Sequence, residues 1–138
     1  MKRKTALGIG VAASLAAALL WHGPGGAGER FAGTIDRTMR ATLDHYEMQP
    51  VAARLQRDPL TRRLMLDGPA DDFQRAEIAR IALEVPGVAA AHWAGPRAPS
   101  RALPLLAEVM LLALASFAIG VVLAYIAALR RRSRDAFA

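Results

Sequence analysis

The chain reads as an α+β protein: a small α-β-β-α-β domain with a three-stranded sheet, flanked by N-terminal and C-terminal transmembrane helices. Three observations carry that expectation. Val109 to Leu129 is a run of 21 residues without a charge. Phe31, Ile35, Met39, Leu43 and Tyr46 recur at helical spacing. Val51 to Arg57 and Leu60 to Leu66 alternate apolar and polar residues, the period of a half-buried strand.

The C-terminal run is the stronger membrane signal. As a helix it spans roughly 31 Å, about the hydrocarbon thickness of a bilayer. A domain of this size has no room to hide a helix that is apolar on every side. Pro104 suits a first helical turn, where its missing N–H is not needed. Glu108 and Tyr125 fall near the two membrane–water interfaces. Residues 104–130 are therefore assigned to a transmembrane helix and residues 131–138 to a basic cytoplasmic tail.

The N-terminal run, Thr5 to Trp21, follows Lys2, Arg3 and Lys4. It is at the short end for a span and also fits a signal peptide. Gly25-Gly26-Ala27 would serve for cleavage, but Leu19-Leu20-Trp21 is not a small-residue site and favours retention. Residues 1–22 are an N-terminal anchor or signal peptide on this reading. Small residues recur every fourth position in both runs: Ser116, Gly120, Ala124 and Ala128 in the second, Gly8, Ala12 and Ala16 in the first. Such stripes let helices approach closely and point to helix packing, within the chain or in a homo-oligomer. Alanine richness alone also produces them.

Between the runs, the glycine-rich stretch Gly23 to Gly28 marks a linker at residues 23–30, and Gly95 to Ser100 a stiffer one at 95–103. The first helix of the domain ends before Pro50. Asp58-Pro59 makes the turn of a β-hairpin, with Val51, Ala53, Leu55, Leu64 and Leu66 inward and Arg54, Gln56, Arg63 and Met65 outward. Asp71 and Gln74 have capping-box spacing for a second helix. Its core stripe is Ile78, Ile81, Ala82 and Val85, with Arg75, Glu77, Arg80 and Glu84 on the outer faces. Pro86-Gly87 stops it, and Val88 to Trp93 forms the third strand. Gly68 and Gly87 stand where the backbone turns and φ > 0 is expected.

The 138 residues include 18 basic and 12 acidic ones, a formal charge of +6. Seven of the basic residues flank the apolar runs, whereas residues 22–103 carry 11 arginines against 10 acids. A nucleic-acid surface concentrates charge on the folded part, so nucleic acid is not expected as a partner. The flanking pattern sets topology instead, placing residues 22–103 outside the cytoplasmic membrane and the C-terminus in the cytoplasm. Without cysteine there is no disulfide framework, zinc-thiolate site or thiol nucleophile. His22, His45 and His92 are too scattered for a local metal motif. No serine sits on a nucleophile elbow, and GPGGAG lacks the flanks of a phosphate loop. Asp71-Asp72 is better used in capping and dipole compensation than as a catalytic pair. Asp36, Arg37, Arg40, Asp44 and Glu47 read as a solvated helix face. No cofactor, metal or enzymatic activity is expected.

Leu64-Met65-Leu66-Asp67-Gly68-Pro69-Ala70, the acid-capped helix after it, and Val85-Pro86-Gly87-Val88 together resemble the BON domain, a small bacterial envelope module. The resemblance covers Phe31 to Trp93, within a domain assigned to residues 31–94. Gly68, Asp71, Gly87 and Val88 carry the fold motif. Ala91 stands where the family usually has a further valine, and this chain has one copy where the family often has several. The resemblance implies a non-enzymatic module that binds phospholipid or envelope proteins. The expected function is thus that of an envelope adaptor tethered to the bacterial inner membrane, with the BON-like domain in the periplasm. The alternative is an accessory subunit of a larger membrane complex, held mainly through its transmembrane helices. Arg54, Arg57, Arg62 and Arg63 are the candidate contacts to lipid or partner.

Overall fold

The computed structural model describes residues 3–95 and 103–135 of the chain. Its elements run α1 (Arg3–His22), α2 (Ala27–His45), β1 (Ala52–Arg57), β2 (Leu60–Asp67), α3 (Asp72–Glu84), β3 (Ala90–Trp93) and α4 (Leu105–Asp135). The protein is α+β, with a three-stranded mixed sheet in the order β1-β2-β3. β1 and β2 are antiparallel, pairing Ala53 with Leu66 and Leu55 with Leu64, with an irregularity between Leu55 and Arg57. The Asp58–Pro59 peptide between them is cis. β3 lies parallel to β2, pairing Met65 with His92, so α3 is the crossover between them. The α-β-β-α-β order expected from the pattern is present between α1 and α4.

Alternation decides which side of the sheet is covered. Val51, Ala53 and Leu55 beside β1, and Leu64 and Leu66 of β2, turn to one face. There they meet Ala32, Ile35, Met39 and Leu43 of α2 and Ile78 and Ala82 of α3. Val85 and Val88 close the core after α3. Burying Met39, Leu64 and Leu66 completely stabilises the fold by ~1.5–3 kcal/mol for each side chain. α3 starts with the expected capping box. Asp71 Oδ1 accepts from the Gln74 N–H at 2.7 Å, and Gln74 Oε1 accepts from the Asp71 N–H at 3.1 Å.

The two motif glycines hold conformations that side chains disfavour. Gly68 has φ +132 and Gly87 has φ +100. A Cβ at Gly68 would stand 2.6 Å from the Pro50 carbonyl oxygen, and one at Gly87 would stand 2.9 Å from the Phe31 ring. Gly68 lets the end of β2 pass the start of β1. Gly87 lets the chain leaving α3 pass under α2.

Several expectations are corrected. The linker at 23–30 is half helix: α2 begins at Ala27, with Gly26 at its N-cap in the left-handed region. Gly28 is buried there because its missing Cβ admits Leu60 and the His22 backbone, which would lie 3.0 and 3.2 Å from it. Tyr46 does not extend the core stripe; it caps the end of α2 and is exposed. Ala32 fills the place in the core that a stripe stepping back from Tyr46 omits. Residues 131–135 of the basic tail continue α4 as helix. The linker at 95–103 lies outside the described residues except for its first and last positions, as do the final three residues of the tail.

Candidate membrane hairpin and its junction with the outer domain

α1 and α4 are long and apolar enough to cross a membrane, and neither is buried within the protein. Their sequences explain the pairing. Residues of α4 shielded from solvent recur every fourth position, at Leu105, Val109, Ala113, Phe117 and Val121. On α1 the shielded positions include Gly10, Ser14, Ala18 and His22. The helices touch along these stripes. They approach closely at Gly10, where a Cβ would stand 2.7 Å from the Phe117 ring. The start of α4 sits beside the end of α1, so the two run antiparallel as a hairpin. Ser14 Oγ donates to the Gly10 carbonyl at 2.9 Å, which satisfies the hydroxyl within its own helix.

The packing stripe expected on α4 is not the one facing α1. Gly120 is exposed with nothing within 4 Å of a built Cβ, and Ser116 is exposed beside it. Ala124 and Ala128 line a groove next to α1 but lie off the contact stripe. On α1, Gly8, Ala12 and Ala16 are likewise exposed. Phe117 decides the matter. A large ring needs a glycine opposite it, and Gly10, not Gly8, stands at that level. The signal was in the sequence, as Gly10-Ser14-Ala18 also has four-residue spacing, but two small-residue stripes on one alanine-rich helix cannot be ranked by spacing alone.

The outer domain sits on one end of this hairpin. The β1–β2 turn places Pro59 and Leu60 in a groove shared with Leu19, His22, Pro104 and Leu106. Leu105 is buried against the domain. Arg62 joins the two parts: its Nε donates to the Gly87 carbonyl at 3.0 Å, and its Nη1 lies 3.5 Å from Glu108 Oε2. His22 Nε2 is shut off from solvent at this junction without a hydrogen-bond partner among the described residues. Trp21 is exposed at the end of α1, with the Arg30 guanidinium 5.8 Å from its ring centroid. An aromatic ring and cations at one level on an apolar hairpin are the composition of a membrane–water interface.

The four candidate arginines have four different fates. Arg57 is paired with Glu29 and, at 2.9 Å, with Asp36 Oδ2; these acids raise its pKa, the Asp36 hydrogen bond being the larger cause. Arg62 belongs to the junction. Arg63 lies on the outer face of the sheet, as alternation predicts, yet its side chain lies down towards Gln56 and only 7% of the residue is exposed. It is therefore corrected from a surface contact to a buried residue. Arg54 is exposed on β1 and makes no ion pair among the described residues.

Asp36, expected on a solvated helix face, is instead tied to β1. Its Oδ1 accepts from the Leu55 N–H at 2.8 Å, satisfying a backbone donor of the edge strand at the irregular pair. Only the tertiary placement of α2 across β1 shows this role. On α3 the outer faces are charged as expected, with Arg80 bridging Glu77 and Glu84. Arg75 stacks 5.1 Å from the Trp93 ring centroid, and Trp93 Nε1 donates to the Arg75 carbonyl at 3.0 Å.

At the other end of the domain, α2 and α3 leave an apolar cleft of about 140 Å³ walled by Met39, Tyr46, Met48, Phe73 and Ile81. Phe73 is 80% exposed at its rim. α2 is about 28 Å long, so this cleft lies a helix length from the hairpin. Among the described residues no group of three His, Asp or Glu side chains comes together to hold a metal ion.

No protein-family model matches this chain, and no curated protein or solved structure matches it.

Proposed function

We propose that the chain is a non-enzymatic adaptor of the bacterial envelope, anchored in the inner membrane by the α1/α4 hairpin, with its BON-like domain in the periplasm. The observation that carries this reading is the disposition of large apolar side chains. Leu19, Leu20, Leu112, Ile119, Leu123 and Ile126 point outward along the hairpin, whereas the outer domain encloses Met39, Val51, Leu64 and Leu66 and leaves only Tyr46, Phe73 and Leu83 exposed among its described large apolar residues. A hairpin with such a surface is stable in hydrocarbon and not in water. The flanking charges support the orientation: the basic ends of both helices lie together, opposite the domain, and the positive-inside rule assigns them to the cytoplasm.

Tethering keeps the domain within a few tens of ångströms of the bilayer and raises its effective concentration for envelope targets. Arg57 and Arg62, beside the β1–β2 turn, stand at the level of lipid headgroups on this reading. The apolar cleft walled by Tyr46 and Phe73 faces away from the membrane and supports a protein partner. The α-β-β-α-β order and the positive φ at Gly68 and Gly87 support the BON-like assignment. The alternative, an accessory subunit of a membrane complex, is favoured by one observation: Ser116 and Gly120 leave a small-residue face of α4 unused by α1.

Two measurements test the reading. The full chain stays in the membrane fraction after alkaline carbonate washing; release into the wash overturns it. In intact spheroplasts, Asp58→Cys is labelled by an impermeant maleimide and Ala138→Cys is labelled only after permeabilisation; the reverse pattern overturns the orientation. Mild detergent extraction then separates the alternatives. A stoichiometric complex identifies a subunit, and a free protein that binds vesicles identifies an adaptor.

A further inference from the structure

We infer that the groove between α1 and α4 at their basic ends holds one anionic phospholipid of the adjoining leaflet. This rests on the membrane-spanning reading above and goes beyond it, because the site lies at the opposite end of the hairpin from the outer domain. Beyond the close contact of Gly10 with Phe117, the helices leave an open groove. Its walls are Ala6 and Leu7 of α1 and Val121, Ala124, Tyr125, Ala128 and Leu129 of α4, with Arg132 at the mouth.

The dimensions and the chemistry both fit an amphiphile. From Val121 to Arg132 the helix rises about 16 Å. That is about half the hydrocarbon thickness of a bilayer, the depth of one leaflet. The walls are largely apolar over that depth, Tyr125 adding one phenol ring, and Ala124 and Ala128 keep part of them low enough to admit an acyl chain. The charged group of the lining, Arg132, stands at one end, at the level where a headgroup would lie. Arg132 is exposed, as are Lys4 and Arg131 near it in the chain ends. Over the two helical runs that end carries Arg3, Lys4, Arg130, Arg131, Arg132 and Arg134 against one carboxylate, Asp135, so its net charge complements a phosphate and not an ammonium. A guanidinium offers a planar pair of donors to phosphate oxygens.

The experiment uses the full chain in nanodiscs containing phosphatidylcholine and phosphatidylglycerol, followed by native mass spectrometry of the released protein. Phosphatidylglycerol is expected to be retained in preference to phosphatidylcholine at one molecule per chain. Arg132→Gln is expected to reduce that preference about fivefold, the equivalent of one juxtamembrane cation. Ala124→Leu with Ala128→Leu fills the groove and is expected to remove the retained lipid while the protein stays carbonate-resistant. Arg132→Gln changes one exposed side chain and keeps the test decisive if the groove-filling variant fails to insert. Equal retention of the two lipids overturns the inference, as does an unchanged preference in Arg132→Gln. Lipid-free dimers that crosslink through Ala124 and Ala128 overturn it as well, since the occupant is then a second copy. A chain released by carbonate would sink the membrane reading itself, an outcome distinct from these.

Discussion

The outer domain and the hairpin use the same side chains in opposite directions. In the domain, Met39, Leu64 and Leu66 are wholly enclosed. In the hairpin, Leu112, Ile119 and Leu123 are each more than half exposed. The domain is organised by period-two strands and 3.6-period helices that each have one apolar side. The hairpin is apolar all round, and only a narrow stripe of each helix meets the other. Glycine shows the same division. Gly68 and Gly87 are needed for backbone conformation, Gly10 is needed for helix approach, and Gly120 is needed for neither. A residue type therefore carries no fixed meaning along this chain; its meaning depends on whether its element packs around a core or is apolar on every side.

The sharpest way to break this comparison is a pair of matched glycine substitutions. Gly68→Val puts a branched side chain at φ +132 and against the Pro50 carbonyl. It is expected to destabilise the outer domain by about 3 kcal/mol or more. Gly120→Val adds the same side chain to an open helix face and is expected to cost less than about 0.5 kcal/mol. Denaturant titration of the full chain in detergent micelles, followed by the near-ultraviolet signal of Trp93, reads the first. Far-ultraviolet helix content reads the second. Equal effects would mean that the domain does not depend on its turns or that α4 is packed on the Gly120 side.

Core truncation sharpens the same contrast. Leu64→Ala removes a fully buried side chain from the central strand, and a loss of about 2–5 kcal/mol is expected. Leu123→Ala removes a similar side chain that is 61% exposed, and its effect is expected below about 1 kcal/mol by the same titration. A cost at Leu123 matching that at Leu64 would reveal a protein partner covering that face of α4.

These contrasts also show which parts of the fold were legible in the sequence. The strands and α3 were, because Leu64, Leu66, Ile78 and Ala82 obey strict periods and Asp71-x-x-Gln74 announces its own cap. The start of α2 was not. Gly25, Gly26 and Gly28 suggest a loop by composition, and only the approach of Leu60 and His22 explains why a helix tolerates Gly28. The two long apolar helices were legible as elements, since length and absence of charge suffice. Their pairing was not, because small residues recur at more than one phase on both helices. The candidate site divided in the same way. Arg62 and Arg63 are adjacent arginines in one strand, yet one bridges to Glu108 and the other is buried, a difference set by neighbours distant in the chain.

A smaller effect tests a locally encoded feature. Asp71→Ala removes the acceptor for the Gln74 N–H and frees one side of the capping box. A loss of about 1 kcal/mol is expected. Asp71→Asn keeps an acceptor at the N-cap and is expected to recover most of it. If Asp71→Asn is as damaging as Asp71→Ala, the carboxylate acts through charge at the helix N-terminus and not through the cap bond.

The smallest expected effect separates the regions by pH. Arg80 holds the Glu77 carboxyl below its ordinary value of 4.5, chiefly through their hydrogen bond. Arg80 itself is raised, by its bond to Glu77 first, and stays charged throughout the working range. A carboxyl whose pKa is depressed by folding contributes stability above its unfolded value. That contribution is lost as pH falls below about 4.5 and through the folded value. Both groups are exposed, so the contribution is screened by salt. Melting of the outer domain, followed through Trp93 in low salt, is expected to fall on this acid limb. Glu77→Gln is expected to flatten part of the fall, and high salt to shrink the difference between variant and parent. The two helices of the hairpin carry two carboxylates, Glu108 and the terminal Asp135, and their helix content is expected to stay level over the same range. A shared acid transition would show that hairpin and domain unfold as one unit, with Arg62 and Glu108 coupling them more tightly than a half-exposed ion pair does elsewhere.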